Sequence, residues 1–165
     1  MKKLWLLLAA AVLLRVFGLS PFQTTNLARL SPVQTMVISE SDGRIRVDCG
    51  KKLLGSGETL NAALEDLKAR AEGEVFLGTV QQILLCGAAR VWGQLTEVSE
   101  LRPAAELYQA DMVIAAVDVT AFLQQHKSRV TLLDFRAAQL YGETVAVPWV
   151  IQEEGGYQID SGKPG

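Results

Sequence analysis

A glycine-containing loop that leads into a helix is the segment best suited to chemistry in this sequence. The loop Gly55–Thr59 reads Gly-Ser-Gly-Glu-Thr and precedes a stretch with helical periodicity. Backbone amides at the amino end of a helix can bind a phosphate. A phosphate-binding loop would place a lysine before the capping hydroxyl, whereas Glu58 stands there and its carboxylate repels phosphate. We therefore expect a glycine turn and a helix cap at Thr59, with an anion site as the alternative.

Catalytic and metal-binding patterns are not evident elsewhere in the sequence. The one histidine, His126, lies beside Gln124, Gln125 and Lys127, which indicates a solvated position at the polar end of a helix. A serine or cysteine nucleophile needs a base within hydrogen-bond reach, so any such site would depend on this histidine. We predict no catalytic residues, no cofactor, no metal ligands and a protein that is not an enzyme.

The two cysteines, Cys49 and Cys86, form a candidate disulfide. They could pair in an oxidising compartment if the fold brings their Cα atoms within about 7 Å. Each follows apolar residues of a predicted strand, and a buried unpaired thiol is the commoner state at such positions. The sequence leaves both states open.

The amino-terminal segment predicts export from the cytoplasm. Two lysines precede an unbroken apolar run from Leu4 to Leu14, which is the order of a secretory signal. A free-standing membrane span needs about 20 apolar residues, and Arg15 interrupts the run, although its side chain could reach an interface. Residues 1–21 are interpreted as a signal peptide or membrane anchor, and residues 22–30 as a tether.

The charge balance argues against nucleic-acid binding. Sixteen basic and eighteen acidic residues give a net charge of −2 and are mixed along the chain. Binding to a phosphate backbone requires a basic stripe that this sequence lacks. The length that follows the leader is suited to one domain.

Periodicity predicts an order of strands and helices. Val33–Ser39 and Arg44–Cys49 alternate around Asp42-Gly43, a strong hairpin signal. Further predicted elements are an amphipathic helix after Thr59, a buried central strand in Val75–Gly87, helices at Ala88–Val98, Pro103–Tyr108, Val119–Lys127 and Leu132–Tyr141, a buried strand at Met112–Val117, and an edge or extended segment at Gly142–Ile151 around Pro148. These predict an α/β or α+β fold in which helices flank a mixed central sheet. The single domain spans residues 31–151, followed by a flexible tail over residues 152–165.

Several short motifs occur in an order that is similar to a known family. They are the strand and hairpin Met36–Val47, Gly57-Glu58-Thr59 at a helix start, Phe76-Leu77-Gly78 before a strand that ends at Gly87, Arg102-Pro103 before Met112–Ala116, and Leu132-Leu133-Asp134-Phe135 with Pro148. Together they resemble the N-terminal domain of the C-subunits of spore germinant receptors, the Ger(x)C family of membrane-attached proteins.

This resemblance implies a module that acts in spore germination through contacts with integral-membrane germinant receptor subunits. It implies a position on the outer face of the cell membrane or of the spore inner membrane. Family members carry a lipid-attached cysteine after the leader, whereas Gly18-Leu19-Ser20 stands here. Unless the protein is secreted, an uncleaved Leu4–Leu19 would therefore be its membrane anchor. The alternative is an exported small-ligand-binding protein or enzyme that uses Gly55–Thr59.

Overall fold

A computed structural model describes residues 30–87 and 90–160 of the chain. Its strands are β1 (Leu30–Pro32), β2 (Thr35–Ser41), β3 (Arg44–Asp48), β4 (Leu54–Gly57), β5 (Glu74–Phe76), β6 (Gln82–Cys86), β7 (Glu106–Ala110), β8 (Trp149–Glu153) and β9 (Gly156–Asp160). Its helices are α1 (Leu60–Arg70), α2 (Val91–Leu95), α3 (Ala116–Gln125) and α4 (Leu132–Tyr141), with a short 3₁₀ turn at Leu77–Thr79. The leader (1–21) and nearly all of the predicted tether lie outside the described residues.

The main sheet has seven strands in the order β4-β3-β2-β6-β7-β8-β9. Strands β2, β6, β7 and β8 run parallel, whereas β3, β4 and β9 are antiparallel to their neighbours. Strands β1 and β5 form a separate parallel pair. The structure confirms the predicted mixed sheet with flanking helices.

The hairpin between β2 and β3 follows directly from its turn residues. Asp42 and Gly43 both adopt positive φ, at 53° and 71°, as the tight turns of two-residue hairpins require. The turn pairs Ser41 with Arg44 and continues in register to Val37 and Asp48. The predicted hairpin is confirmed.

Helices cover both faces of the sheet, so its central strands are buried on both sides. On the first face, face A, the helices α1, α2 and α4 pack on the sheet, and on the second, face B, α3 does so. Within β6, Ile83 and Leu85 contribute to the face A core, while Leu84 and Cys86 contribute to the face B core. This explains why β6 reads as a continuous apolar run, and it confirms the predicted central strand.

Two glycines allow β4 to lie directly against α1. A Cβ atom added at Gly55 would lie 2.2 Å from the carbonyl oxygen of Ala63. One added at Gly57 would lie 2.6 Å from the amide nitrogen of Ala63. Any side chain at these positions would therefore push α1 off the sheet.

An aspartate from the sheet fixes the start of α3 on face B. Asp48, the last residue of β3, accepts hydrogen bonds from the amide of Gly50 at 2.8 Å and from that of Ala116 at 3.0 Å. Ala115 occupies the cap position of α3 and supplies no side-chain oxygen. Asp48 thus provides the missing acceptor, and its negative charge complements the positive end of the helix.

The predicted helix over Pro103–Tyr108 and the predicted strand over Met112–Val117 are wrong. The strand is β7 instead, in which Leu107 and Tyr108 are buried on opposite faces of the sheet. Met112 and Val113 lie in a loop and are 51% and 63% exposed. Both stretches are apolar, and only strand pairing across the sheet distinguishes them.

The prediction of a flexible tail over residues 152–165 is wrong as far as residue 160. Strand β8 includes Gln152 and Glu153, and β9 pairs with it through a turn in which Gly155 has a φ of 107°. Pro148 precedes β8 rather than interrupting it. The domain therefore extends to at least Asp160, and residues 161–165 lie outside the described part of the chain.

We expect Gly55→Ala to destabilise the fold by about 3 kcal/mol, because the new methyl group would collide with the backbone of α1. Gly93→Ala in α2 is the matched control, since an added Cβ there meets nothing within 4 Å. It should instead stabilise the protein by about 0.5–1 kcal/mol through helix propensity. Urea unfolding of both variants measures the difference, and equal stabilities would refute the proposed contact.

Candidate functional site

The Gly55–Thr59 segment is a structural junction between β4 and α1. Thr59 caps α1, since its hydroxyl accepts a hydrogen bond from the amide of Ala62 at 3.2 Å. The amide of Leu60 donates to Gln94 Oε1 at 2.7 Å, and the amide of Ala63 donates to the Thr59 carbonyl. These amides are the donors that an anion would need, and they already have partners. The predicted cap at Thr59 is confirmed.

His126 lies on the opposite face of the sheet from the helix that follows that segment. It ends α3 on face B, where its ring is exposed and stacks on Phe122 with 4.2 Å between centroids. Glu58 is exposed just before α1, which packs on face A. The structure thus confirms the exposed position predicted for His126, and it does not bring the two residues together.

The two cysteines are free thiols on opposite faces of the sheet. Cys49 packs against the face A core, whereas Cys86 belongs to the face B core. Strand β2 separates β3 from β6, so the residues lie at least two strand spacings apart, about 10 Å. That exceeds the Cα separation that a disulfide spans. The candidate disulfide is therefore not formed, and the unpaired alternative is the observed state.

Burial suppresses the reactivity of both thiols. It raises the pKa of Cys49 to about 12, and the neighbouring Asp48 carboxylate adds to that effect. Burial also raises the pKa of Cys86, against a smaller opposing effect of a backbone hydrogen bond with Ile114. Because the thiolate is the reactive form, neither cysteine is suited to act as a nucleophile.

A tyrosine that sequence reasoning did not single out organises the turn after α3. The Tyr108 hydroxyl lies 2.7 Å from Glu106 Oε2 and 2.8 Å from the His126 carbonyl oxygen, both of them acceptors. It accepts a hydrogen bond from the amide of Ser128 at 2.8 Å. Burial, followed by the contact with Glu106, raises the pKa of the phenol, which stays protonated. Its role here is to hold a loop in place.

Helix α4 exposes an apolar stripe. The stripe, which we call the α4 stripe, consists of Leu133, Ala137, Leu140 and Tyr141, residues that share one side of a helix by their spacing. Leu133, Leu140 and Tyr141 are 58%, 80% and 76% exposed. The other side of α4 packs inward, where Phe135 contacts Trp92 with 4.9 Å between ring centroids. Among the described residues, the α4 stripe is therefore an exposed apolar surface.

Two open surface grooves occur in the described part of the chain. The first, of about 460 Å³, lies between Lys68, Glu100 and the segment 73–78. The second, of about 350 Å³, is lined by Gly55 and Ser56 of β4 together with Arg44, Arg46 and Arg70. Neither is lined by Glu58 or His126. Among residues 30–87 and 90–160, no three acidic, cysteine or histidine side chains converge as a metal site would require.

We expect the native protein to leave both thiols unmodified by 5,5′-dithiobis(2-nitrobenzoate) at about pH 8, because burial keeps them protonated. The same protein unfolded in guanidinium chloride without reductant should release two equivalents of the chromophore. Release of none after unfolding would reveal a disulfide and contradict the structure.

We expect Tyr108→Phe to lower the free energy of unfolding by about 1–2 kcal/mol, because the Ser128 amide would keep only the longer bond to Glu106 Oε2 at 3.4 Å, and Glu106 and the His126 carbonyl would lose a donor. Tyr141→Phe removes a hydroxyl from a side chain that is 76% exposed, and it should change stability by less than about 0.5 kcal/mol. Chemical denaturation followed by circular dichroism measures both. Equal effects would show that the buried hydroxyl does not support the loop.

None of the helices in residues 30–87 and 90–160 is long and apolar enough to span a membrane. No protein-family model matches the chain, and the searches of curated proteins and of solved structures found no similar protein.

Proposed function

We propose that the chain is an exported, membrane-associated, non-catalytic module that acts in spore germination through protein contacts. In this role it resembles the N-terminal domain of a germinant receptor C-subunit. Its partners are integral-membrane receptor subunits, and it sits on the outer face of the cell membrane or of the spore inner membrane. The leader is either an anchor that is retained or a signal that is removed.

The α4 stripe is the observation that carries the proposal of protein contacts. A helix on a globular domain normally turns its apolar side to the core and its polar side to water. Helix α4 instead keeps Leu133, Leu140 and Tyr141 largely exposed while Leu132 and Ala138 are buried. Contiguous exposed apolar surface of this kind is typical of protein or membrane interaction sites.

The position of β1 fits a domain held near a membrane. Strand β1 begins at Leu30, the last residue of the predicted tether. Eight or nine extended residues reach about 30 Å at most. If the leader is retained as an anchor, the folded domain therefore lies within the reach of a membrane protein's external surface. The Ger(x)C resemblance supplies the identity of that membrane protein.

The alternative, a ligand-binding protein or enzyme that uses Gly55–Thr59, rests only on an open groove lined by Gly55 and Ser56. Helix α1 fills the space beside Gly55 and Gly57, and the amides of Leu60, Ala62 and Ala63 are bonded within the protein. His126 lies on the other face of the sheet. The groove beside Gly55 and Ser56 is lined by neither Glu58 nor His126, so it does not join these two candidate residues.

We expect Leu140→Glu to lower the recovery of transporter-like receptor subunits with the affinity-tagged full chain from spore membranes by about tenfold. A charge placed in the centre of an apolar contact must be desolvated without a partner. Gln139→Glu is the matched control, since it adds the same charge to the neighbouring exposed residue outside the α4 stripe. It should leave the recovery unchanged.

Circular dichroism of both variants checks that the fold is retained. Recovery of the unaltered chain without any receptor subunit, under conditions that preserve known complexes, would refute the proposed process. Equal recovery with Leu140→Glu and Gln139→Glu would refute the role of the α4 stripe.

A further inference from the structure

The two edges of the main sheet differ in how their backbone groups are covered. At the β4 edge, the outward amide of Ser56 donates to Asp66 Oδ2 of α1 at 2.9 Å. The close packing of Gly55 and Gly57 against α1 holds that helix beside the strand. Exposed strand edges tend to pair with other chains, and side chains that occupy the edge amides prevent such pairing. At the β4 edge, Asp66 occupies the Ser56 amide in this way.

The β9 edge has no comparable protection within the described residues. Strand β9 is the last strand of the sheet there, and it pairs with β8 on one side. Its sequence, Gly-Tyr-Gln-Ile-Asp, contains neither lysine nor proline, the residues that most often block an edge. The five residues would span about 17 Å as a pairing surface.

The turn between β8 and β9 fixes which backbone groups face outward. The two-residue turn at Glu154 and Gly155 makes Glu153 and Gly156 a hydrogen-bonded pair. Hydrogen-bonded pairs alternate along an antiparallel ladder. Gly156, Gln158 and Asp160 therefore bond to β8, whereas the backbone groups of Tyr157 and Ile159 point away from it.

The apolar side chains of β9 continue the face B core to this edge. The Tyr157 ring packs on Phe122 with 5.6 Å between centroids. Ile159 lies opposite Val150, which is 2% exposed. Tyr157 and Ile159 are only half-buried. A further strand added at the edge would cover the part of these side chains that is still exposed.

We propose that β9 pairs antiparallel with β9 of a second copy of this chain, about a twofold axis that passes between the two Gln158 residues. In this register Tyr157 lies opposite Ile159 of the partner subunit, and all five residues are paired. Because these two residues carry the outward backbone groups, the pairing forms four hydrogen bonds between the subunits.

The side chains are self-complementary in this register. Each Asp160 faces Gly156 of the partner subunit, so the two carboxylates do not oppose each other. Tyr157 and Ile159 form an aromatic–aliphatic pair on face B, a favourable cross-strand combination. A shift by one residue would mismatch the backbone groups, and a shift by two would shorten the ladder. Isologous pairing of this kind closes as a dimer.

The contact is small, and we expect the dimer to be weak in dilute solution. Attachment to a membrane would raise the local concentration and favour pairing. That last step rests on the proposed membrane anchoring, whereas the pairing itself does not. The test therefore uses the purified full chain without any receptor subunit, so its failure is distinguishable from failure of the proposed function.

Disulfide crosslinking at the axis tests the register. In the proposed dimer, the Cα atoms of the two Gln158 residues form a non-hydrogen-bonded pair about 4.5 Å apart, which a disulfide can bridge. Gln158→Cys should therefore give a crosslinked dimer as the main product under mild oxidation. Gly156→Cys is the matched control, because its two copies would lie about 13 Å apart along the strand and should stay monomeric.

A mixture of Gly156→Cys and Asp160→Cys proteins should crosslink to each other, since these positions face across the axis. The native thiols do not compete, because Cys49 and Cys86 are packed against the two cores. Crosslinking of Gln158→Cys that is no faster than that of Gly156→Cys would overturn the proposal. The proposal would also be overturned if β9 bound an added extended peptide while the chain itself formed no dimer.

Ile159→Pro in the Gln158→Cys background tests the backbone pairing. It removes one outward amide from each subunit, two of the four proposed bonds, and it leaves the bonds to β8 intact. We expect the crosslinking rate to fall by about tenfold. Ile159→Val keeps the amide and should retain the rate. Equal rates for the two variants, with circular dichroism unchanged, would also overturn the proposal.

Discussion

The direct contact between the backbones of β4 and α1 determines how one face of this domain is built. Because Gly55 and Gly57 have no side chains, α1 lies close enough for Asp66 to reach the edge amide of Ser56. The same placement lets the first amide of α1 meet Gln94 near the end of α2. The two glycines that look like a ligand loop in the sequence thus act through the space they leave for a helix.

Face B is organised by single polar side chains rather than by close backbone packing. Asp48 holds the start of α3, and Tyr108 holds the turn after its end. Both residues lie on strands of the sheet, so the sheet positions the helix at its two ends. The apolar contacts of Val119 and Leu123 then fill the space between. Buried polar groups with satisfied partners specify such a position more sharply than apolar contacts alone.

Local chemistry made part of this architecture predictable. Asp42-Gly43 and Thr59 act through their own backbone neighbours, so the hairpin and the start of α1 could be inferred from a few residues. Strand β7 could not, because Leu107 and Tyr108 are distinguished from a helical segment only by the cores that they enter. The candidate site shows the same distinction. The Thr59 cap depends on neighbouring residues, whereas the Tyr108 contacts join residues up to twenty positions apart. Strand β9 was missed because Gly155 and Gly156 resemble the glycines of a loose tail.

The junction between β7 and β8 has a mechanical consequence. Their ladder consists of one residue pair, Gln109 with Trp149, reinforced by the Gln109 side chain bonding to the Val147 carbonyl at 2.8 Å. By contrast, β8 and β9 share a five-residue ladder. A pulling force applied to the chain beyond Asp160 would therefore act first on the short ladder between β7 and β8. The β8–β9 hairpin would detach as a unit while the central strands stay folded. Gln109 holds this junction through two hydrogen bonds, since its backbone amide also donates to the Pro148 carbonyl at 3.0 Å, and its near-complete burial shields both from water.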